Sequence, residues 1–122
     1  MALAALVACE NGPRPDAVSQ RLLDRYDIRS AGATTTQRIE VGEFADEGMP
    51  WERYLDASRS VGLDFTGHFG APAEVRTTPV EGGAPGMRLH VLVLDGSAIG
   101  AWLSSEDDAT GGSAIYPLDE AP

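Results

Sequence analysis

A chain of 122 residues is long enough for one domain and short of two, and a domain of that size buries about two-thirds of its unfolded surface. Nineteen acidic residues against nine basic leave a formal net charge of -10; that charge repels nucleic-acid phosphate and anionic headgroups, excluding nucleic acid as a partner and a basic patch as a membrane anchor. All nine basic residues are arginine, and with a single cysteine no disulfide can form within the chain.

The first eight residues are apolar and end at Cys9, after which Glu10-Asn-Gly-Pro-Arg-Pro15 reads as an extended tether, since two prolines and a glycine block regular structure. Leu6-Val7-Ala8-Cys9 resembles a bacterial lipobox, in which small residues fit a signal peptidase and the thiol accepts a diacylglyceryl group. The run lacks the basic start of a secretory signal. The competing reading is an apolar leader, or a first turn packed on the domain with Cys9 as a small buried hydrophobe. The run is too short to cross a bilayer, which takes about 20 apolar residues. Residues 1–15 are thus expected to be a signal remnant and tether, 16–118 a single domain, and 119–122 a frayed tail.

Asp16 offers an N-cap, and Val18, Leu22, Leu23 and Tyr26 recur at helical spacing, predicting a first helix over about 16–27. Thr34 to Val41 alternates and is β-branched, predicting a half-exposed strand. The acidic stretch Glu43 to Gly48 precedes Pro50, which suits the first turn of a second helix carrying Trp51, Tyr54, Leu55, Ser58 and Val61 on one side. Gly62 closes that helix. Glu43, Asp46 and Glu47 read as electrostatic support for its positive end.

After the turn-rich Thr66-Gly-His-Phe-Gly70 comes a strand over 73–78, then a loop at 81–86. Asp95-Gly96 between two apolar runs, 87–94 and 97–103, predicts a two-residue hairpin, whose central positions both need positive φ. An uninterrupted register pairs Leu94 with Ser97, Val93 with Ala98, Val91 with Gly100 and Leu89 with Trp102. One face then carries Met87, Leu89, Val91, Val93, Ala98, Gly100 and Trp102 and is expected to bear both helices, with Gly100 allowing close approach. Core positions are Leu89, Val91, Val93, Trp102, Leu55, Tyr54 and Leu22. Arg88, His90, Leu92, Ile99, Ala101 and Leu103 occupy the other, mixed face. Residues 104–113 read as a polar loop, and Ile115 to Leu118 as a short edge segment. The expected fold is α+β: an antiparallel sheet of about four strands with two helices packed on one face, in the order α-β-α-β-β-β.

Gly62-Leu-Asp-Phe65 and Val93-Leu-Asp-Gly-Ser-Ala-Ile-Gly100, with the helix at 51–61 and Arg38-Ile-Glu-Val41 before it, resemble an uncharacterised family of Gram-positive extracytoplasmic domains, domain of unknown function number 4830. The resemblance covers roughly residues 16–105. The loop at 81–86 and the acidic tail depart from the pattern. It implies an anchored, secreted α+β domain and transfers no catalytic residue.

Chemistry is sparse. The two histidines, His68 in a turn and His90 on a strand, lack metal-ligand spacing. Ser58, Ser60 and Ser97 sit outside any nucleophile elbow. No phosphate loop or dinucleotide fingerprint occurs, and the acids at 106–108 do not follow a calcium-loop spacing. No cofactor or metal is expected. The expected function is a non-catalytic, lipid-anchored extracytoplasmic binding module, touching the membrane through Cys9 only. Its surface would include His68, Phe69, Arg88 and His90, and its partner would be an envelope protein, a peptide or a wall component. The alternative is a small envelope hydrolase or transferase, for which a cleft joining a histidine to a carboxylate would speak.

Overall fold

The computed structural model describes residues 14–107 and 112–121. The lipidation expected at Cys9, most of the tether and Asp108 of the acidic run lie outside them. Helix α1 spans Ala17–Arg25, and the Asp16 carboxylate caps it by accepting from Ser19 N at 3.0 Å. Strand β1 (Thr35–Glu40) follows, then α2 (Trp51–Arg59), β2 (Pro72–Pro79), β3 (Arg88–Leu94), β4 (Ser97–Asp107) and β5 (Gly112–Tyr116). The strands form one antiparallel sheet in the order β1-β2-β3-β4-β5.

Most local expectations have visible causes in the backbone. Asp95 and Gly96 both take positive φ, 51° and 80°, as the two-residue turn requires. Gly62 does likewise at 82°, and Leu63 N returns to Ser58 O at 3.0 Å to close α2. Pro50 stands just before α2, at its N-cap, rather than within the first turn. The Glu43 carboxylate accepts from Glu40 N at 2.6 Å, so it ties off the end of β1.

Two expectations are corrected. The sheet has five strands, because residues 104–107, read as loop, continue β4 and pair with 112–115 of β5. Alternation persists there: Ser105 is buried and reaches the Tyr116 hydroxyl at 3.3 Å. The second correction concerns faces. Leu94 does face Ser97 and Val93 does face Ala98, but Leu92 pairs with Gly100, Val91 with Ala101 and Leu89 with Leu103, so Ile99 is an extra residue in β4. This bulge turns every later side chain of β4 to the opposite face from the one an uninterrupted ladder gives it.

The helices consequently lie on opposite faces of the sheet, not on one. Leu23 of α1, with half-buried Val18, Leu22 and Tyr26, packs on Leu89, Val91, Val93, Ala101 and Leu103. Trp51, Leu55 and Ala57 of α2 pack with Phe65, Ala73, Leu92 and Trp102 on the reverse. The Asp16 cap fixes α1 on its face through Arg76 of β2, whose Nη1 lies 2.6 Å from the carboxylate. Helix α2 is fixed by Ser58: its buried Oγ accepts from Ala101 N at 2.9 Å and lies 2.7 Å from Tyr54 O. Ala101 lies two residues beyond the last β4–β5 pair, so a side chain of α2 satisfies main chain that β5 no longer reaches.

Candidate functional site

Helix α2 covers only part of its face. Beside it the sheet floors a groove of about 720 Å³ that runs from Gln37 and Ile39 of β1, across Val75 and Thr77 of β2 and His90 of β3, to Trp102 and Ser104 of β4 and Ile115 of β5. Tyr54 and Arg53 of α2 form one wall, and the connection from β1 to α2 supplies Phe44, Met49 and Pro50. Phe44 is 57% exposed and holds a positive φ of 62°, a strained conformation for an aromatic residue.

His90 is the most constrained polar group of the floor. Its Nδ1 lies 3.0 Å from Thr77 Oγ1 and its Nε2 2.7 Å from Ser104 Oγ, and its ring stacks on Trp102 at 5.7 Å between centroids. Burial, seconded by the positive charge of Arg88, pushes its pKa down to about 4, so the ring is neutral near pH 7 and can donate through one nitrogen and accept through the other. Tyr54 stacks on Trp102 at 4.2 Å. The phenol of Tyr54 is raised by burial, with Arg53 pulling the other way.

The charges of the groove run against those of the protein. Arg53 and Arg88 line it, with Glu43 as the one carboxylate; Arg38 borders it only at the sheet edge, because its place between Gln37 and Ile39, opposite Glu74, turns its side chain to the α1 face. No described carboxylate lies within ion-pair distance of the Arg53 or Arg88 guanidinium, whereas Arg59 and Arg76 are paired with Asp64, Asp16 and Glu74. A second cleft, of about 710 Å³ on the other face, is lined by Arg38 and Arg76 but also by Glu40, Glu43, Glu74 and Asp95; carboxylates outnumber cations there.

Of the four surface residues expected from sequence, Arg88 and His90 line the groove and His68 and Phe69 do not. Phe69, 49% exposed, lies edge-on to Trp51 and beside Phe65. Aromatic contacts nonetheless connect the two places, from Phe69 through Trp51, Tyr54 and Trp102 to His90. Sequence reasoning passed over Arg53, Phe44, Thr77 and Ser104. Phe44, an aromatic set in an acidic glycine-bounded turn, was the one local signal among them.

Among the described residues no three His, Cys, Asp or Glu side chains converge as a metal site, and no helix is long and apolar enough to cross a membrane. The strings that carry the family resemblance do structural work: Phe65 is fully buried, and Asp64 accepts from Thr66 N at 2.9 Å and Arg59 Nε at 3.0 Å. No family model matches the chain, and comparison with the curated proteins and with the solved structures finds no match either.

Proposed function

We propose that this protein is a non-catalytic binding module held on the outer side of the cytoplasmic membrane by lipid at Cys9, as members of the uncharacterised family it resembles would be, and that its ligand occupies the groove beside α2. The observation that carries the reading is that Arg53 and Arg88, neither in an ion pair among the described residues, stand beside an aromatic-walled floor in a chain of net charge -10. Exposed like charges gathered without counter-ions repel one another, and a bound anion relieves that repulsion. A pull-down from the native envelope tests it. The wild-type protein should retain a partner that the Arg53→Gln, Arg88→Gln double variant releases, and equal retention by both would remove the groove from the function.

The pair His90–Ser104 motivates the alternative, a small hydrolase, because 2.7 Å is the spacing of a base and its nucleophile. Two features oppose it. The other ring nitrogen meets the Thr77 hydroxyl, not a carboxylate, and a pKa of about 4 makes the imidazole a weak base at neutral pH. A fluorophosphonate probe should leave Ser104 unlabelled; labelling abolished by Ser104→Ala would favour the hydrolase.

A further inference from the structure

Strand β1 lies at one edge of the sheet, and the phase of its hydrogen bonds shows what that edge can take. Val41 N donates to Ala71 O at 2.9 Å, and Val41 O accepts from Gly70 N at 2.8 Å. Odd-numbered residues of this stretch therefore turn their main-chain groups toward β2, and even-numbered ones turn them outward. Two outward positions are already engaged. Thr34 N donates to Arg14 O at 3.4 Å, and Glu43 holds Glu40 at both ends, its carboxylate accepting from Glu40 N at 2.6 Å and its N–H donating to Glu40 O at 3.0 Å. Between them Thr36 and Arg38 each present an outward donor and acceptor, exposed and without a partner among the described residues.

The chain itself arrives at this gap. Asp16 N donates to Thr34 Oγ1 at 2.9 Å rather than to the Thr34 carbonyl, which is not the bond of a parallel ladder and leaves that carbonyl for Arg14 N, as an antiparallel pair requires. Continued from Arg14 and Thr34, the antiparallel register sets Gly12 opposite Thr36 and Glu10 opposite Arg38. Gly12 and Glu10 both carry the N–H the ladder needs, whereas Pro13 falls where the nitrogen points away from β1, a place where an edge strand tolerates proline. Glu10 also brings a carboxylate to the face of Arg38. Arg38 makes no ion pair among the described residues, because Glu74, opposite it on β2, is taken by Arg76 at 2.9 Å. The Glu43 cap at Glu40 ends the ladder just beyond Glu10. A second copy fits this edge poorly, since its β1 would bring its own Arg14 and Glu43 against a gap of two residues.

We propose that residues 10–13 dock on this edge as a further strand, antiparallel to β1, with Gly12 on Thr36 and Glu10 on Arg38. With lipid at Cys9, a consequence that rests on the function proposed above, the anchor leaves the domain beside Ile39 at the β1 end of the groove. The link to the membrane is then a fixed strand and not a free spacer.

Amide hydrogen exchange on the 122-residue chain carrying Cys9→Ser, which cannot be lipidated, tests the strand apart from the anchor. The Thr36 and Arg38 amides should exchange at least about tenfold more slowly than those of an open edge. Gly12→Pro, which removes an inward N–H, should release both, while Asn11→Pro, whose nitrogen points outward, should leave them protected. Glu10→Arg should speed exchange at position 38, and adding Arg38→Glu should slow it again. None of these changes touches the core, so circular dichroism should find every variant folded. Open-edge exchange at both amides before any further substitution, or an equal response to Gly12→Pro and Asn11→Pro, overturns the proposal. Protection that survives Gly12→Pro and grows with protein concentration overturns it in favour of a second copy.

Discussion

Ser58 and His90 show how much a single buried polar atom decides. Ser58 Oγ is the acceptor for Ala101 N at the place where β5 has ended. Ser58→Ala leaves that N–H buried and unpaired and should destabilise the domain by about 1–3 kcal/mol in urea unfolding; Ser58→Thr, which keeps the hydroxyl, should recover part of the loss. Ser19 gives the opposite case: its Oγ is buried with no hydrogen-bond partner among the described residues, so Ser19→Ala should be neutral or stabilising. His90 titrates near 6.5 when unfolded and at about 4 when folded. Between those values the unfolded state binds the extra proton, so stability falls as pH drops from about 6.5 to 4, by at most about 3 kcal/mol, and this dependence ends below 4. Urea midpoints measured through that window should decline for the wild type and flatten for His90→Gln. Asp16 and Asp64, whose pKa values are lowered, act in a separate window: their contribution is present above about 3.8 and is lost as pH falls further.

At the scale of elements, the bulge at Ile99 is the decisive feature. It sends Trp102 to the face of α2 and Ala101 and Leu103 to the face of α1, so each half of the β3–β4 hairpin feeds two cores. Next to it, a Cβ on Gly100 would stand 2.8 Å from Phe65 Cδ2. Gly100→Ala should therefore cost about 1–3 kcal/mol through overpacking, and a change under half a kcal/mol would mean that Phe65 can move aside. Leu89 has no exposed surface and lies on the α1 side of the sheet. Leu89→Ala should cost about 2–5 kcal/mol, and an unfolding midpoint unchanged from wild type would contradict that placement.

For the whole molecule, the proposed address rests on Cys9. Cys9→Ser removes the acceptor thiol of the expected lipobox, so the protein expressed from its full gene should move from the membrane to the soluble fraction. Two acyl chains anchor a protein stably where one does not. Unchanged partitioning, or an intact mass with Cys9 unmodified, would return the chain to an unanchored domain.

Much of this fold is local and was legible in the chain. The Asp16 cap, the Trp51–Arg59 helix, its Gly62 stop and the Asp95-Gly96 turn are each set by the conformational preference of a few neighbouring residues. The α+β class followed from those elements and their periodicities. The positions of the two helices did not follow, because β4 is apolar on both faces from Ala98 to Leu103: with no polar alternation to mark the reversal, the extra residue at Ile99 leaves no trace in the pattern. The groove was equally hidden. Arg53 and Arg88 come from α2 and β3, and each by itself reads as an ordinary solvated charge. Only the packing of α2 over part of a sheet face brings them around one floor, while the net charge of -10 gives no hint that such a place exists.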